Sequence, residues 1–327
     1  MKSALSLIAA LAAAPAFAGV EEVVDAHILP GYAAFEASAA DLRDIAAADC
    51  TPDAVRPTWN DTFDAWMAVS HLKFGPIEQD GASVIVAFWP DERSATPKAL
   101  ARLIADQDSI IDTATGTAQI SVAARGIYAL EYLLYDPQFD QAGDYGCALT
   151  QALTADLATI AARVDQDWQD GYAETMRTAG AAGNQTYLSD KEATQALFTA
   201  LLAGLDFDVE QRLARPLGTF DRPRPNRAEA WRSGRSQRNI VLSLQALVDL
   251  ARQLTDGTAP ITDAAMTRAI ELAEGLDDPI LAGVDDPSKR LKIEIVQQAV
   301  TTAYDAVLGE IGASLGVSAG FNSADGD

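Results

Sequence analysis

Between positions 125 and 135 the chain reads Arg-Gly-Ile-Tyr-Ala-Leu-Glu-Tyr-Leu-Leu-Tyr. Arg125, Tyr128, Glu131 and Tyr135 are spaced three or four apart, so a helix would put them on one face. Ile127, Leu130 and Leu134 fall on an apolar face beside it. A carboxylate, phenols and a guanidinium on a largely buried helix are costly unless they are paired. One reading is a packing bridge between Arg125 and Glu131. The other is a site, with Glu131 as an oxygen ligand for a hard cation and Tyr128 as a second ligand or an orienting group.

A second concentration of polar chemistry lies downstream. Eight of the 18 arginines are Arg212, Arg215, Arg222, Arg224, Arg227, Arg232, Arg235 and Arg238. Only Asp221 and Glu229 oppose them, so this stretch carries about +6 in a chain of formal charge -23. Arginine forks suit bidentate carboxylate pairing. The segment can therefore neutralise the acidic first half and dock two halves together, or it can hold an anion. Ser233 and Ser236 sit among these arginines and can donate to a ligand or cap the next helix. The sequence has no HExxH, GxSxG, GxGxxG or P-loop motif, which removes the commoner zinc-protease, serine-hydrolase and nucleotide-binding readings. The two histidines, His27 and His71, are far apart in sequence, and each reads on its own as a core or surface residue.

The elements that must position these residues are mostly helical, because apolar residues recur at helical spacing in most segments. The pattern predicts helices over 23–47 with a break near Pro30-Gly31, from a cap at Asn60 or Asp61 through Leu72, and from Thr96-Pro97 onward. Further helices are predicted over 119–135, 147–176 with Trp168 on the apolar face, from an Asp190 cap to about Arg215, and over 239–254, 262–276 and 289–315. Only 82–89 reads as a strand, with Val84, Ile85 and Val86 in succession, and one strand makes no sheet. Gly180 to Asn184 breaks the pattern and reads as a connection. The three prolines of 216–225 mark an ordered loop or a linker. The predicted fold is all-α: two helical-bundle halves, 19–185 and 186–327, packed around an interdomain cleft.

Length and charge bound the function. A chain of 327 residues with 49 % hydrophobic residues buries a sizeable core and is not disordered. A charge of -23 opposes approach to nucleic acid or an anionic membrane. Lys2, the apolar run Ala4 to Ala14 and the small-x-small site Ala16-Phe17-Ala18 read as a leader of 1–18, cleaved after Ala18. The apolar run is too short to span a bilayer, and no later stretch reads as a transmembrane segment. The remaining chain of 309 residues would carry about -24 and be periplasmic. In that setting Cys50 and Cys147 read as a disulfide.

Several segments, taken in order, resemble the imelysin family of exported bacterial proteins. His71-Leu72-Lys73-Phe74-Gly75-Pro76 is similar to its early signature, and Phe88-Trp89-Pro90-Asp91 follows. Gly126 to Glu131 stands at the family's GxHxxE motif, with Tyr128 in place of the histidine. Arg215-Pro216-Leu217-Gly218, the stretch Arg227 to Ser236 and the closing Gly320-Phe321-Asn322 with Asp325-Gly326-Asp327 are similar to its later signatures. The resemblance implies an all-helical fold of two bundle-like halves and a site near the motif helix where they meet. It also implies a metallopeptidase class or a role in iron regulation and uptake. Tyr128 lowers the peptidase reading, since zinc sites favour imidazole, whereas phenolate and carboxylate suit iron. The expected site takes Glu131 and Tyr128 as metal ligands, no catalytic residue, and Arg125, Gly126, Glu229, Arg232, Ser233 and Ser236 around a ligand. The expected cargo is iron, another divalent or trivalent metal, or a small anionic or chelated ligand, and iron-uptake membrane components are the expected partners. A metallopeptidase using Glu131, and a non-catalytic structural or protein-interaction module, are the alternatives.

Overall fold

The computed structural model describes residues 19–318 apart from 114 and 256. The leader 1–18 and the closing motif from 319 lie outside the described residues. Among the described residues every regular element is helical, and the single isolated bridge pairs Thr219 with Arg222. No helix among them is long and apolar enough to cross a membrane. Helices Leu29–Ala48, Pro52–Met67, Gly126–Tyr135 and Gly143–Asp167 pack as one group; Asp190–Phe207, Ser236–Thr255, Pro260–Glu274 and Pro287–Ala306 pack as another. The groups meet directly: Ser236–Thr255 lies against Pro52–Met67, and the first turn, Val20–Val23, crosses to Asp190–Phe207 and Ser236–Thr255. One hydrophobic core runs through both.

The local reasons are ordinary helix chemistry. In Leu29–Ala48 the residues Tyr32, Phe35, Ala39, Leu42 and Ala46 repeat every three or four positions and are all buried. Proline opens Pro52–Met67, Pro260–Glu274 and Pro287–Ala306, where its missing N–H costs nothing. Asp286 caps the last of these by accepting from the N–H groups of Ser288 and Lys289. Among the described residues four π-helical turns widen otherwise continuous helices: Val24–Ile28, Trp168–Tyr172, Asp208–Leu213 and Val307–Ile311. The Cys50–Cys147 disulfide ties the end of Leu29–Ala48 to the start of Gly143–Asp167, with Cα atoms 5.3 Å apart and a sequence separation of 97. Closing so long a loop is worth about 2–4 kcal/mol.

Three expectations change. The predicted strand is a helical turn, Ala82–Val86, followed by extended chain. With no second strand to pair with, its backbone closes on itself; Ala82 and Val86 face the core while Val84 stays exposed. The second helix starts at Pro52, not at Asn60 or Asp61, and ends at Met67. Asn60 spends its amide on the Arg56 carbonyl and the Tyr135 hydroxyl, each at 2.8 Å. The stretch before Gly126 is two short 3-10 turns, Thr117–Gln119 and Val122–Ala124, so the motif helix is only Gly126–Tyr135. The proline-rich 216–225 is an ordered loop, held where the Arg224 N–H donates to the Pro216 carbonyl at 2.8 Å.

Candidate functional site

Gly126 fixes where the motif helix begins. Its φ is +74°, and a Cβ there would lie 2.1 Å from the Ile85 carbonyl oxygen and 2.4 Å from that of Val86. Only glycine allows this approach and this left-handed backbone. Gly126 therefore seats the helix on the Ala82–Val86 turn; its part in the motif is steric.

Seated there, the helix points Tyr128 and Glu131 at the junction of the two groups. The Tyr128 hydroxyl donates to Glu229 Oε1 at 2.5 Å. Glu229 Oε2 accepts from Arg212 Nε at 2.8 Å and from Asn239 Nδ2 at 3.0 Å. Arg212 Nη1 reaches Asp208 Oδ1 at 2.6 Å and Ser243 Oγ at 3.1 Å. Tyr128, Glu229, Arg212, Asp208, Asn239 and Ser243 are all buried. Burial and the neighbouring Glu229 hold the Tyr128 phenol well above its ordinary range, so it is a neutral donor. Burial pushes the Asp208 carboxyl up to about 6, against the pull of Arg212. Burial also opposes the charge on Arg212, but Glu229 and Asp208 outweigh it and raise the guanidinium further.

Glu131 is buried one turn along, and its Oε1 accepts from the Ser233 N–H at 3.0 Å and from Ser233 Oγ at 2.9 Å. Burial raises the carboxyl of Glu131; the two Ser233 bonds work against it. The remaining expected residues are committed elsewhere. Ser236 Oγ donates to the Glu229 carbonyl at 2.6 Å. Arg232 Nε donates to Asp136 at 2.6 Å, and its guanidinium lies 3.9 Å from the Tyr132 ring centroid and 4.5 Å from that of Trp231. Arg125 does not bridge to Glu131. It forms a fork onto Asp156, with both bonds at 2.8 Å, because as the residue before the helix it lies off the Tyr128–Glu131 face and beside Gly143–Asp167. Arg235 and Arg238 both bond Asp64 of the first group. Arg215, Arg232, Arg235 and Arg238 thus all reach carboxylates of the first group, and this arginine segment docks the two groups.

The Imelysin family model matches residues 28–307. The chain belongs to the imelysin family. It is similar to iron-regulated protein A of Synechococcus elongatus, with 20 % identity over 313 residues that cover 88 % of this chain and 83 % of that protein. Among solved structures it is similar to an imelysin-like protein from Psychrobacter arcticum, with TM-score 0.77 and 20 % identity over 92 % of this chain and 97 % of the other. It is also similar to an iron-regulated protein A precursor from Parabacteroides distasonis, with TM-score 0.68 and 13 % identity over 88 % and 92 % of the two chains. The structural likeness extends the all-helical fold to nearly the whole chain.

Within this imelysin fold the donor set at the motif does not fit a metal ion. The Tyr128 oxygen carries a proton that it gives to Glu229, and Oε1 of Glu131 is held by Ser233. The Arg212 guanidinium occupies the centre of the cluster as a fixed cation. Among the described residues no group of three or more His, Cys, Asp and Glu side chains is arranged to hold a metal ion.

Sequence reasoning missed the centre of the cluster. Arg212 and Asp208 stand four apart on one helix, a spacing that signals a pair. Ser236, Asn239 and Ser243 form a polar stripe at helical spacing on the otherwise apolar buried face of Ser236–Thr255. The two histidines are also partners: His27 Nε2 and His71 Nε2 are 3.0 Å apart, and both rings are buried. Burial lowers His27 to about 4, and burial with the charges of His27 and Arg212 lowers His71 well below the ordinary imidazole value. At neutral pH one ring donates and the other accepts. Forty-four residues separate them, so no sequence signal joins them.

Proposed function

We propose that the protein is an exported, non-catalytic binding component of an iron-linked system, and that it takes a small anionic or chelated ligand. The observation that carries this reading is the Tyr128–Glu229 bond at 2.5 Å inside a buried, charge-paired cluster. A phenol stands where the family motif has the imidazole that a zinc peptidase would need, and the cation paired with the neighbouring carboxylates Glu229 and Asp208 is a guanidinium. The cluster then acts as a clamp between the helical groups. The iron link is supported by the names of the relatives, and export by the leader-like start and a disulfide of the kind favoured outside the cytosol.

The test uses untagged protein from the native compartment. Elemental analysis is expected to find no stoichiometric metal, and Zn(II) or Fe(III) alone to leave the Tm unchanged, because an ion bound to the native state must raise it. A substrate panel is expected to show no chelator-sensitive cleavage, and the protein's abundance to change with iron supply. Metal retained by the wild type and lost in Glu131→Ala, or chelator-sensitive proteolysis, would overturn the reading.

A further inference from the structure

The arginines of 212–238 divide into two kinds. Arg212, Arg232, Arg235 and Arg238 are all held by carboxylates at the junction. Arg222, Arg224 and Arg227, together with Arg93 from the first group, are exposed. Among the described residues none of these four makes a side-chain hydrogen bond or a close ion pair. Between the two kinds stands Arg215, whose Nη1 donates to Glu92 Oε1 at 2.9 Å. Its guanidinium lies 5.9 Å from the Trp89 ring centroid, and its Nε is buried without a partner.

The accounting around Glu92 is lopsided. This carboxylate is 72 % exposed, yet Arg215 bonds it and Arg93 and Arg227 both lie within electrostatic reach. Three guanidiniums thus share one carboxylate, in a protein whose acidic residues outnumber its basic ones 47 to 24. Left to bulk electrostatics, such arginines would be the first to be neutralised. Beside Arg215, Trp89 is partly buried. It stacks on Tyr128 with ring centroids 6.2 Å apart and meets Phe207 edge-on at 5.8 Å, so this part of the surface is rigid and continuous with the junction.

We propose that Arg93, Arg215 and Arg227, around Glu92, bind a small multivalent oxyanion, and that Glu92 occupies the place of one ligand carboxylate or phosphate. The proposal rests on the binding-protein reading and locates its ligand outside the buried cluster. Planar guanidinium forks match carboxylate and phosphate oxygens in pairs, and those of Arg93 and Arg227 are exposed and unpaired among the described residues. A single negative charge would gain little by displacing Glu92, whereas a ligand with two or three satisfies the remaining guanidiniums as well. A polycarboxylate, alone or chelating a metal, and a condensed phosphate share this chemistry.

The experiment is isothermal titration of the wild-type chain at low salt with citrate, Fe(III)-citrate and pyrophosphate. At least one of them is expected to bind, with affinity that falls as NaCl is raised. Citrate binding above pyrophosphate assigns the site to polycarboxylates, and the reverse assigns it to phosphates. The double variant Arg93→Gln/Arg227→Gln, made at exposed positions so that folding is unaffected, is expected to weaken binding about tenfold or more, the worth of one or two charged hydrogen bonds. Glu92→Gln removes the internal competitor and is expected to tighten binding about threefold or more, an effect that no packing role would produce. Flat titrations at millimolar ligand, a double variant that binds like the wild type, or weaker binding in Glu92→Gln would overturn the proposal. Metal retention or proteolysis would remove the binding-protein reading and leave these titrations standing. Flat titrations in a metal-free, inactive protein would remove the oxyanion site alone.

Discussion

The junction and its rim use the same side chain in opposite ways. At the junction Arg212 is buried between Glu229 and Asp208, and its Nε, Nη1 and Nη2 all have acceptors within the cluster. At the rim, a few residues along, Arg222 and Arg224 face solvent with no carboxylate partner among the described residues. The contrast teaches that arginine content marks the region, and pairing state divides it into a part that holds the fold and a part left available. A buried ion pair is an unreliable source of net stability, but breaking one is costly because the remaining charge is stranded.

The largest effect should come from stranding Arg212. Glu229→Ala removes the partner of Arg212, Tyr128 and Asn239 together, and is expected to cost about 3–5 kcal/mol in urea unfolding. A loss below about 1 kcal/mol would erase the distinction between junction and rim.

Next comes acid sensitivity of the His27–His71 pair, which lies beside the junction. His27 titrates near 6.5 unfolded and about 4 folded, so the unfolded chain binds more protons between those values. Stability from the pair is present above pH 6.5 and is lost as pH falls toward 4, by roughly 3 kcal/mol for His27. Asp208, raised to about 6, acts in the opposite direction between about 4 and 6, because there the folded state holds the extra proton. The imidazole contribution is therefore read as the difference between wild type and His27→Gln across a pH series of Tm values. Parallel curves would show that the pair is not buried neutral.

A smaller step is Tyr128→Phe. It deletes one donor to Glu229 but leaves Arg212 and Asn239 in place, so about 1–2 kcal/mol is expected by denaturant titration. The smallest belongs to the rim: Arg222→Gln with Arg224→Gln should change stability by less than about 0.5 kcal/mol. A large loss there would mean that the rim, too, is structural.

How far the sequence could be read follows the same division. The family signatures that hold Glu131 and Ser233 place both in one site, although Ser233 lies in a turn and the direct bond between them has no sequence signal. The steric role of Gly126 was not legible, since the carbonyls it meets, at Ile85 and Val86, belong to a segment that reads as a strand. Arg125 misled for a related reason. Spacing offers Glu131 as its partner, while the carboxylate it uses, Asp156, lies on another helix 31 residues on. Arg212 was visible as one arginine among eight, and only its burial makes it the centre. Periodicity finds the helices and their faces; long-range pairing decides which polar residues on those faces meet.

The π-turns carry a consequence for engineering and for descent. Each accommodates a residue beyond the α-helical count without interrupting the helix. The turn Asp208–Leu213 holds both Asp208 and Arg212, and Val24–Ile28 holds His27. Removing the extra residue from either would close the turn into regular helix with the flanking segments kept in phase, whereas the same deletion within a regular α-helix would rotate one flank by about 100° against the other. These turns are therefore points of slack: a one-codon deletion there should disturb only the residues of the turn itself, while the same deletion in the regular helix beside it would misaim the junction, so one-residue length differences among homologues should fall at such turns.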